Sequence, residues 1–417
     1  FKQKTAYEIG VRLVGSEMCI RDSTYTGTTA INAGDLTVSG SLHDDTAVSI
    51  ASGADYNVNA SDTVASIEGA GDIVLASSQT LTAGDGNNKT LSGVMSGAGN
   101  YIKAGGGTQT LSASNTYTGT TQVSAGTLTV SGSGRLSDST AVTVDGGATY
   151  NVAVSDTVAS IAGAGSITLG SNTLTSGGSD ASTTFSGVMS GTNGNIVKAG
   201  SGTLTLTGNN SYTGSTTISA GLLKILRDNP TAYLAATSGF TGPGNLTIES
   251  AGGNFTADIV TGTHVQLAGT ALGNLIIGKA GNTRQIDLSS NITTTNIQTY
   301  NGPVRLVGGD RTVATTNSNV VFASTVNSDG SARALTVTNG TGDTTFSGAI
   351  GGSAPVSTLT ITSDQLTAGA ITLNGALTAT LGGSSTISGV IANGGGGTAN
   401  LVKAGNGTLT LSASNTY

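Results

Sequence analysis

Charge is scarce in this chain of 417 residues: Asp, Glu, Lys and Arg make up 9% of it, against roughly 25% in an ordinary soluble domain. It has no tryptophan, four prolines, one cysteine and two histidines. Each shortage excludes something. Sixteen Lys and Arg, scattered singly and outnumbered by twenty-three Asp and Glu, do not build the basic face that phosphates require, which argues against nucleic acid as a partner. So few prolines argue against a proline-rich stalk, and the missing tryptophan argues against an aromatic-rich sugar-binding module. No stretch approaches the roughly 18 apolar residues of a membrane-spanning helix, and the short alternating apolar runs found throughout are foreign to a disordered linker. A single Cys19 can neither bridge nor share a metal within the chain.

What is abundant is glycine, 65 residues of it, and repetition. Lys103 to Tyr117 reads KAGGGTQTLSASNTY, Lys198 to Tyr212 reads KAGSGTLTLTGNNSY, and Lys403 to Tyr417 reads KAGNGTLTLSASNTY. SDTVASI at Ser61 to Ile67 returns at Ser155 to Ile161, and SGVMSG at Ser92 to Gly97 returns at Ser186 to Gly191, both 94 residues on. A unit of that length has been copied in tandem, and copies of this kind stack on their neighbours rather than enclosing one catalytic cleft.

Within the copies, Thr127-Leu128-Thr129-Val130, Thr203-Leu204-Thr205-Leu206 and Thr408-Leu409-Thr410-Leu411 alternate with period two. That pattern predicts strands with aliphatic residues on one face and threonine on the other. Corners rich in Asn and Gly, such as Asn209-Asn210, Ala220-Gly221 and Gly146-Gly147, separate the strands. No ten-residue helical pattern is present to cover a flat sheet. The reading is an all-β chain folded as a right-handed parallel β-helix, a β-solenoid whose inward Leu204, Leu206, Ile218, Leu223 and Ile225 belong to one continuous core. At about twenty residues per coil and roughly 4.8 Å per rung, the native part would extend on the order of 90 Å. An antiparallel sandwich is the rival; six Phe and ten Tyr are little to fill a two-sheet core.

The phrase K-A-G-x-G-T-x-T-L-x-x-x-N-x-Y-T-G-x-T-x-[IV]-x-x-G-x-L resembles the passenger-associated repeat of autotransporters, surface proteins of Gram-negative bacteria. It is complete at Lys103 to Leu128 and Lys198 to Leu223, and partial at Tyr25 to Leu36 and Lys403 to Tyr417. Between Lys224 and about Thr345 the phrase is lost, and NITTTNIQTYNGPVRL and neighbouring text resemble β-helical adhesins and haemagglutinin-type chains instead. The resemblance implies a passenger threaded through an outer-membrane translocation barrel and folded outside the cell, with surface glycans or proteins as its partners. The expected organisation is a leader at 1–23, tandem-repeat β-helix at 24–225, divergent coils at 226–345, and β-helix with a truncated repeat at 346–417. The leader FKQKTAYEIGVRLVGSEMCIRDS, with Lys2, Lys4, Arg12, Cys19 and Arg21, carries no repeat and resembles translated sequencing-adapter text. It is excluded from fold reasoning. Export signal, anchor and barrel are expected outside this sequence, which reads as a fragment.

Chemistry is sparse, and no catalytic, cofactor-binding or metal-ligating residue is assigned. His43 and His264 lack metal-ligand spacing, and His43-Asp44-Asp45 reads as a solvated loop. Gly273 to Ala280 imitates a phosphate loop but lacks its Ser or Thr, and Leu275 to Ile277 suits an inward strand better. Gly163-Ala164-Gly165 lacks a dinucleotide fingerprint, and Asp85-Gly86-Asn87-Asn88 reads as a turn rather than a calcium loop. The recurring Lys103, Lys198 and Lys403 are expected outward at a coil edge, discouraging sheet-to-sheet aggregation. Tyr117, Tyr212 and Tyr417 are expected at corners, each ring covering the end of a coil.

The leading functional expectation is a non-enzymatic adhesive passenger acting through many weak contacts. A polysaccharide-active enzyme of the pectin-lyase type would need carboxylates clustered with Arg or Lys, which the sequence does not line up. Ice or crystal binding would need T-x-T pairs; Thr127-Thr129, Thr203-Thr205 and Thr358-Thr360 supply the spacing but are not expected on every coil.

Overall fold

The computed structural model describes residues 27–229, 239–263, 265–267, 272–395 and 397–417; the leader with Cys19, and also Tyr25 and His264, lie outside them. Among the described residues the regular elements are β-strands of two to six residues, and the strands pair in parallel. The chain is an all-β solenoid of stacked coils, as the alternation predicts, and the antiparallel sandwich is overturned.

Two compact units divide at Thr168 and Leu169. In the first, eight strands stack in sequence from Thr29–Ile31 through Ala47–Ile50, Ser66–Gly69, Lys89–Leu91, Thr108–Leu111, Thr127–Val130 and Thr149–Val152 to Ser166–Thr168. In the second, eleven strands stack from Thr183–Phe185 to Leu409–Leu411. Shorter stacks complete the other walls of each coil.

The local reason is the two-residue period. In Thr203–Leu206 both leucines are buried and both threonines half-exposed, and Ile218, Leu223 and Ile225 continue the core as expected. Each such side chain contributes roughly 1.5–3 kcal/mol on burial. Corners are set by residues that accept left-handed backbone: Gly126 and Gly221, 95 residues apart, sit at φ of 62° and 64° in equivalent Ala-Gly bends, where a Cβ would be strained.

The few aromatics are not spread thinly but stacked inside. Tyr300, Phe322 and Phe346 are in-register partners on three successive coils. Their ring centroids lie 5.1 and 4.8 Å apart, with interplanar angles of 11° and 1°, close to the rung spacing of a parallel stack. The Tyr300 hydroxyl donates to Gln298 Oε1 at 2.6 Å, so its polar end is satisfied within the core.

Candidate functional site

The repeat phrase builds a clasp between coils. Lys103 ends the strand Asn100–Lys103, where alternation puts Tyr101 and Lys103 on the inward face. The expectation of an outward lysine is therefore wrong: Lys103 and Lys198 are each 1% exposed. The physical reason is parity. The strand before the Gly-rich bend has its own in–out phase, which the Thr-Leu alternation after the bend does not transmit.

The lysine stem lies in the core and its ammonium plugs the following bend. Lys103 Nζ donates to the carbonyls of Ala104 at 2.5 Å, Gly105 at 2.9 Å and, one coil on, Ala125 at 3.2 Å. Lys198 repeats this with Ala199 at 2.5 Å, Gly200 at 2.8 Å and Ala220 at 3.3 Å. Lys403 is half-buried and donates to Gly405 at 2.7 Å. Burial pulls the Lys103 and Lys198 ammoniums below the ordinary lysine range, with Asp85 and Asp180 opposing. A lysine of this kind can act as a nucleophile only if substrate reaches it, and here its donors are engaged by carbonyls inside the wall. The coil before each lysine needs glycine for the same reason: a Cβ on Gly84 would lie 1.8 Å from the Ala104 oxygen, and one on Gly177 would lie 2.0 Å from that of Ala199.

The phrase's asparagine and tyrosine complete the clasp. Asn115 Oδ1 accepts from the Met95 amide of the preceding coil at 2.9 Å, while its Nδ2 donates to the carbonyls of Ala113 and Arg135 at 3.0 and 2.7 Å. Asn210 and Asn415 accept from Met189 and Ile391, both at 2.7 Å. Tyr117 and Tyr212 are inside the coil rather than lids over its end, a second correction. Their hydroxyls hydrogen-bond Thr121 and Thr216 at 2.5 and 2.7 Å. Tyr417, in the last coil, is 46% exposed. Each copy thus ties neighbouring coils together through buried polar groups, which are worth most when every member is satisfied.

Sequence reasoning missed other buried groups. Asp62 and Asp156, the acidic residues of the repeated SDTVASI text, are 3% and 2% exposed, and each accepts from a tyrosine hydroxyl, Tyr56 or Tyr150. Their recurrence 94 residues apart was the available signal. Folding also gathers charge that the sequence does not line up. Arg305 grips Asp287 through two bonds of 2.8 and 2.5 Å, and Arg333 grips Asp329 through two of 3.0 and 3.1 Å. Arg311 beside them donates to the carbonyls of Leu288, Asp310 and Val307. In this cluster Asp287 and Asp329 are already bound to cations, whereas acid–base chemistry needs a carboxylate free to exchange a proton with substrate.

The remaining sequence candidates stand apart from one another. Asp45 donates its amide to His43 Nδ1 at 3.3 Å in an exposed turn. Leu275–Ile277 is a strand with Leu275 and Ile277 inward, and Asp85 accepts from the Asn87 amide at 2.7 Å within a turn. Gly163 sits at a corner with φ of 108°. T-x-T pairs do align on three successive coils, where Thr336, Thr360 and Thr378 are in register, as are Thr338, Thr362 and Thr380; elsewhere the row breaks, with Thr129 beside Asn151 and Thr203 beside Leu222. Thr358 precedes its strand, so the outward pair there is Thr360 and Thr362.

The passenger-associated-transport-repeat family model matches this chain at residues 22–38, 102–130, 196–225 and 401–417, and the last three of these segments carry the clasp lysines. These repeats and the stacked parallel coils fit an autotransporter passenger. Among curated proteins the chain is similar to the adhesin BmaC autotransporter of Brucella suis biovar 1 (strain 1330), with 39% identity over 153 residues. That match covers 33% of this chain and spans 4% of the length of the relative. No solved structure matches the chain.

Proposed function

We propose that this passenger is displayed on the surface of a Gram-negative bacterium, where it serves as a structural and adhesive element. In this reading a translocation barrel elsewhere in the full protein carries it across the outer membrane, and its ligands are glycans or proteins of host or bacterial surfaces. It acts without catalysis. The observation that supports this best is the pairing of clasped transport repeats with uncharged threonine rows on three successive coils, Leu335–Thr338, Leu359–Ser363 and Ala376–Leu381. Rows of that kind give each of those coils a weak contact, and several contacts together give avidity without a pocket. The Arg-bound carboxylates at Asp287 and Asp329 favour the non-enzymatic side.

The test is adhesion at controlled density. Beads coated with the chain should attach to epithelial or bacterial cell layers steeply with coating density, and soluble chain should compete poorly. Attachment absent at every density, or turnover of an acidic polysaccharide by the purified chain, would overturn the proposal. A second reading, ice or crystal binding, is favoured only by the in-register threonines of Leu335–Thr338, Leu359–Ser363 and Ala376–Leu381; thermal hysteresis in the purified chain is its measurement.

A further inference from the structure

Carboxylates are held in opposite ways in the two units. In the unit ending at Thr168, Asp62 and Asp156 are buried without an ion pair among the described residues. Asp62 accepts from the Tyr56 hydroxyl and, at 2.9 Å, from the Leu42 amide one coil earlier. Asp156 accepts from the Tyr150 hydroxyl, from Leu136 at 3.3 Å and from Thr157 at 3.0 Å. The charge facing Asp62 is Asp44, of like sign; Asp156 is faced by Arg135, whose guanidinium bonds the Ser155 carbonyl, and by Tyr117. Burial pushes both carboxyls up against their hydrogen bonds, Asp156 to about 6. On the outward side of the same unit Asp35, Asp55 and Asp72 stand in register on three successive coils, and burial followed by repulsion from its two neighbours pushes Asp55 up. Asp85 is the exception: burial pushes it up, but the hydrogen bonds from Asn87 outweigh that and hold it low.

In the unit starting at Leu169 the settings reverse. Asp329 is held low by Arg333 first, and then by the amides of Gly308 at 2.9 Å and Ser331 at 3.2 Å, with Arg305, Arg311 and Asp310 close by. Asp228 is held low by the Ser250 hydroxyl and the Gly252 amide, and Asp180 by Ser201.

We propose that the two units answer acid in opposite senses: the unit ending at Thr168 tightens as pH falls from about 7 to about 4, whereas the unit starting at Leu169 does not tighten and loosens below about 4. The sign follows from linkage. A carboxyl raised on folding binds its proton more tightly in the folded state, so its contribution is full below the unfolded value and is lost as pH rises through the folded one. A carboxyl lowered on folding contributes above the unfolded value and is lost as pH falls. The proton comes from solvent and adds to a carboxylate oxygen; the only bond formed is O–H, and the tyrosine hydroxyl remains its hydrogen-bond partner. This inference is independent of the adhesive reading.

The experiment is hydrogen exchange of the full chain from pH 3.5 to 8, corrected for the intrinsic pH dependence of exchange. The amides of Leu42 and Leu136, which donate directly to Asp62 and Asp156, should gain protection on acidification, with a ceiling of roughly 100-fold for Asp156. The amides of Gly308 and Ser331 should hold constant to about pH 4 and lose protection below it. In the double variant Asp62→Asn, Asp156→Asn, protection at Leu42 and Leu136 should become independent of pH and match the acidic wild type. Should that variant fail to fold, carboxyl titration of the wild type by carbon-13 NMR decides: Asp156 must titrate above pH 5. Constant or falling protection of Leu42 and Leu136 on acidification, a pH response that survives in the double variant, or Asp156 titrating below pH 5 would each overturn the inference.

Discussion

Replacing the clasp lysine by methionine tests the central structural claim at three sites that differ in burial and in the number of carbonyls held. Lys103 and Lys198 each make three bonds to carbonyls, and Lys403 makes one. Methionine keeps the length of the stem and removes the ammonium. Bonds to a charged group contribute roughly 1.5–3 kcal/mol each, so three amount to about 4–9 kcal/mol before compensation. Two terms compensate. The lowered ammonium basicity of Lys103 and Lys198 records a desolvation penalty that Met removes, and Ala104, Gly105 and Ala125 are half-exposed residues, so water can replace part of what their carbonyls lose. The net expectation is about 2–4 kcal/mol at Lys103 and Lys198 and about 1 kcal/mol or less at Lys403. Cooperativity in a solenoid is local, so the readout should be local too. The Ser124 and Ser219 amides donate to the carbonyls of Lys103 and Lys198, at 2.9 and 2.8 Å. Their exchange should quicken by roughly 30- to 1000-fold in the matching variant. Equal losses at Lys403 and Lys103, or no loss at Lys103, would refute the clasp.

Other substitutions follow from the same geometry. Asn115→Ala leaves the buried Met95 amide without its acceptor, an expected loss of about 1–3 kcal/mol visible as accelerated exchange at Met95. Gly84→Ala places a methyl 1.8 Å from the Ala104 oxygen at a φ of 140°, whereas Gly106→Ala meets nothing within 4 Å; denaturant melts should show the first strongly destabilised and the second neutral or slightly stabilised. Phe322→Ala removes the middle ring of the Tyr300–Phe322–Phe346 stack and should lower stability by about 3–5 kcal/mol, with thermal unfolding followed by tyrosine fluorescence as the check.

The sequence by itself determined the class of fold. Its two-residue alternation, Gly- and Asn-bearing corners and tandem copies leave stacked short strands as the way to bury Leu204, Leu206 and Leu223 together, because a side-chain period of two fixes which face of each strand turns inward. The repeated phrase likewise marked the transport repeats, and the turns at His43 and Asp85 were legible because local hydrogen bonding decides them. Tertiary structure decided everything that depends on register across coils. Whether Lys103 points in or out rests on the phase of its strand against the strands above and below, and that phase is reset at each bend. Asp62 meets Leu42, and Arg305 meets Asp287, only because coils some twenty residues long lay distant positions side by side. The threonine rows became rows for the same reason: the pairs are written in each strand, but their alignment is a property of the parallel stack, which no single coil contains.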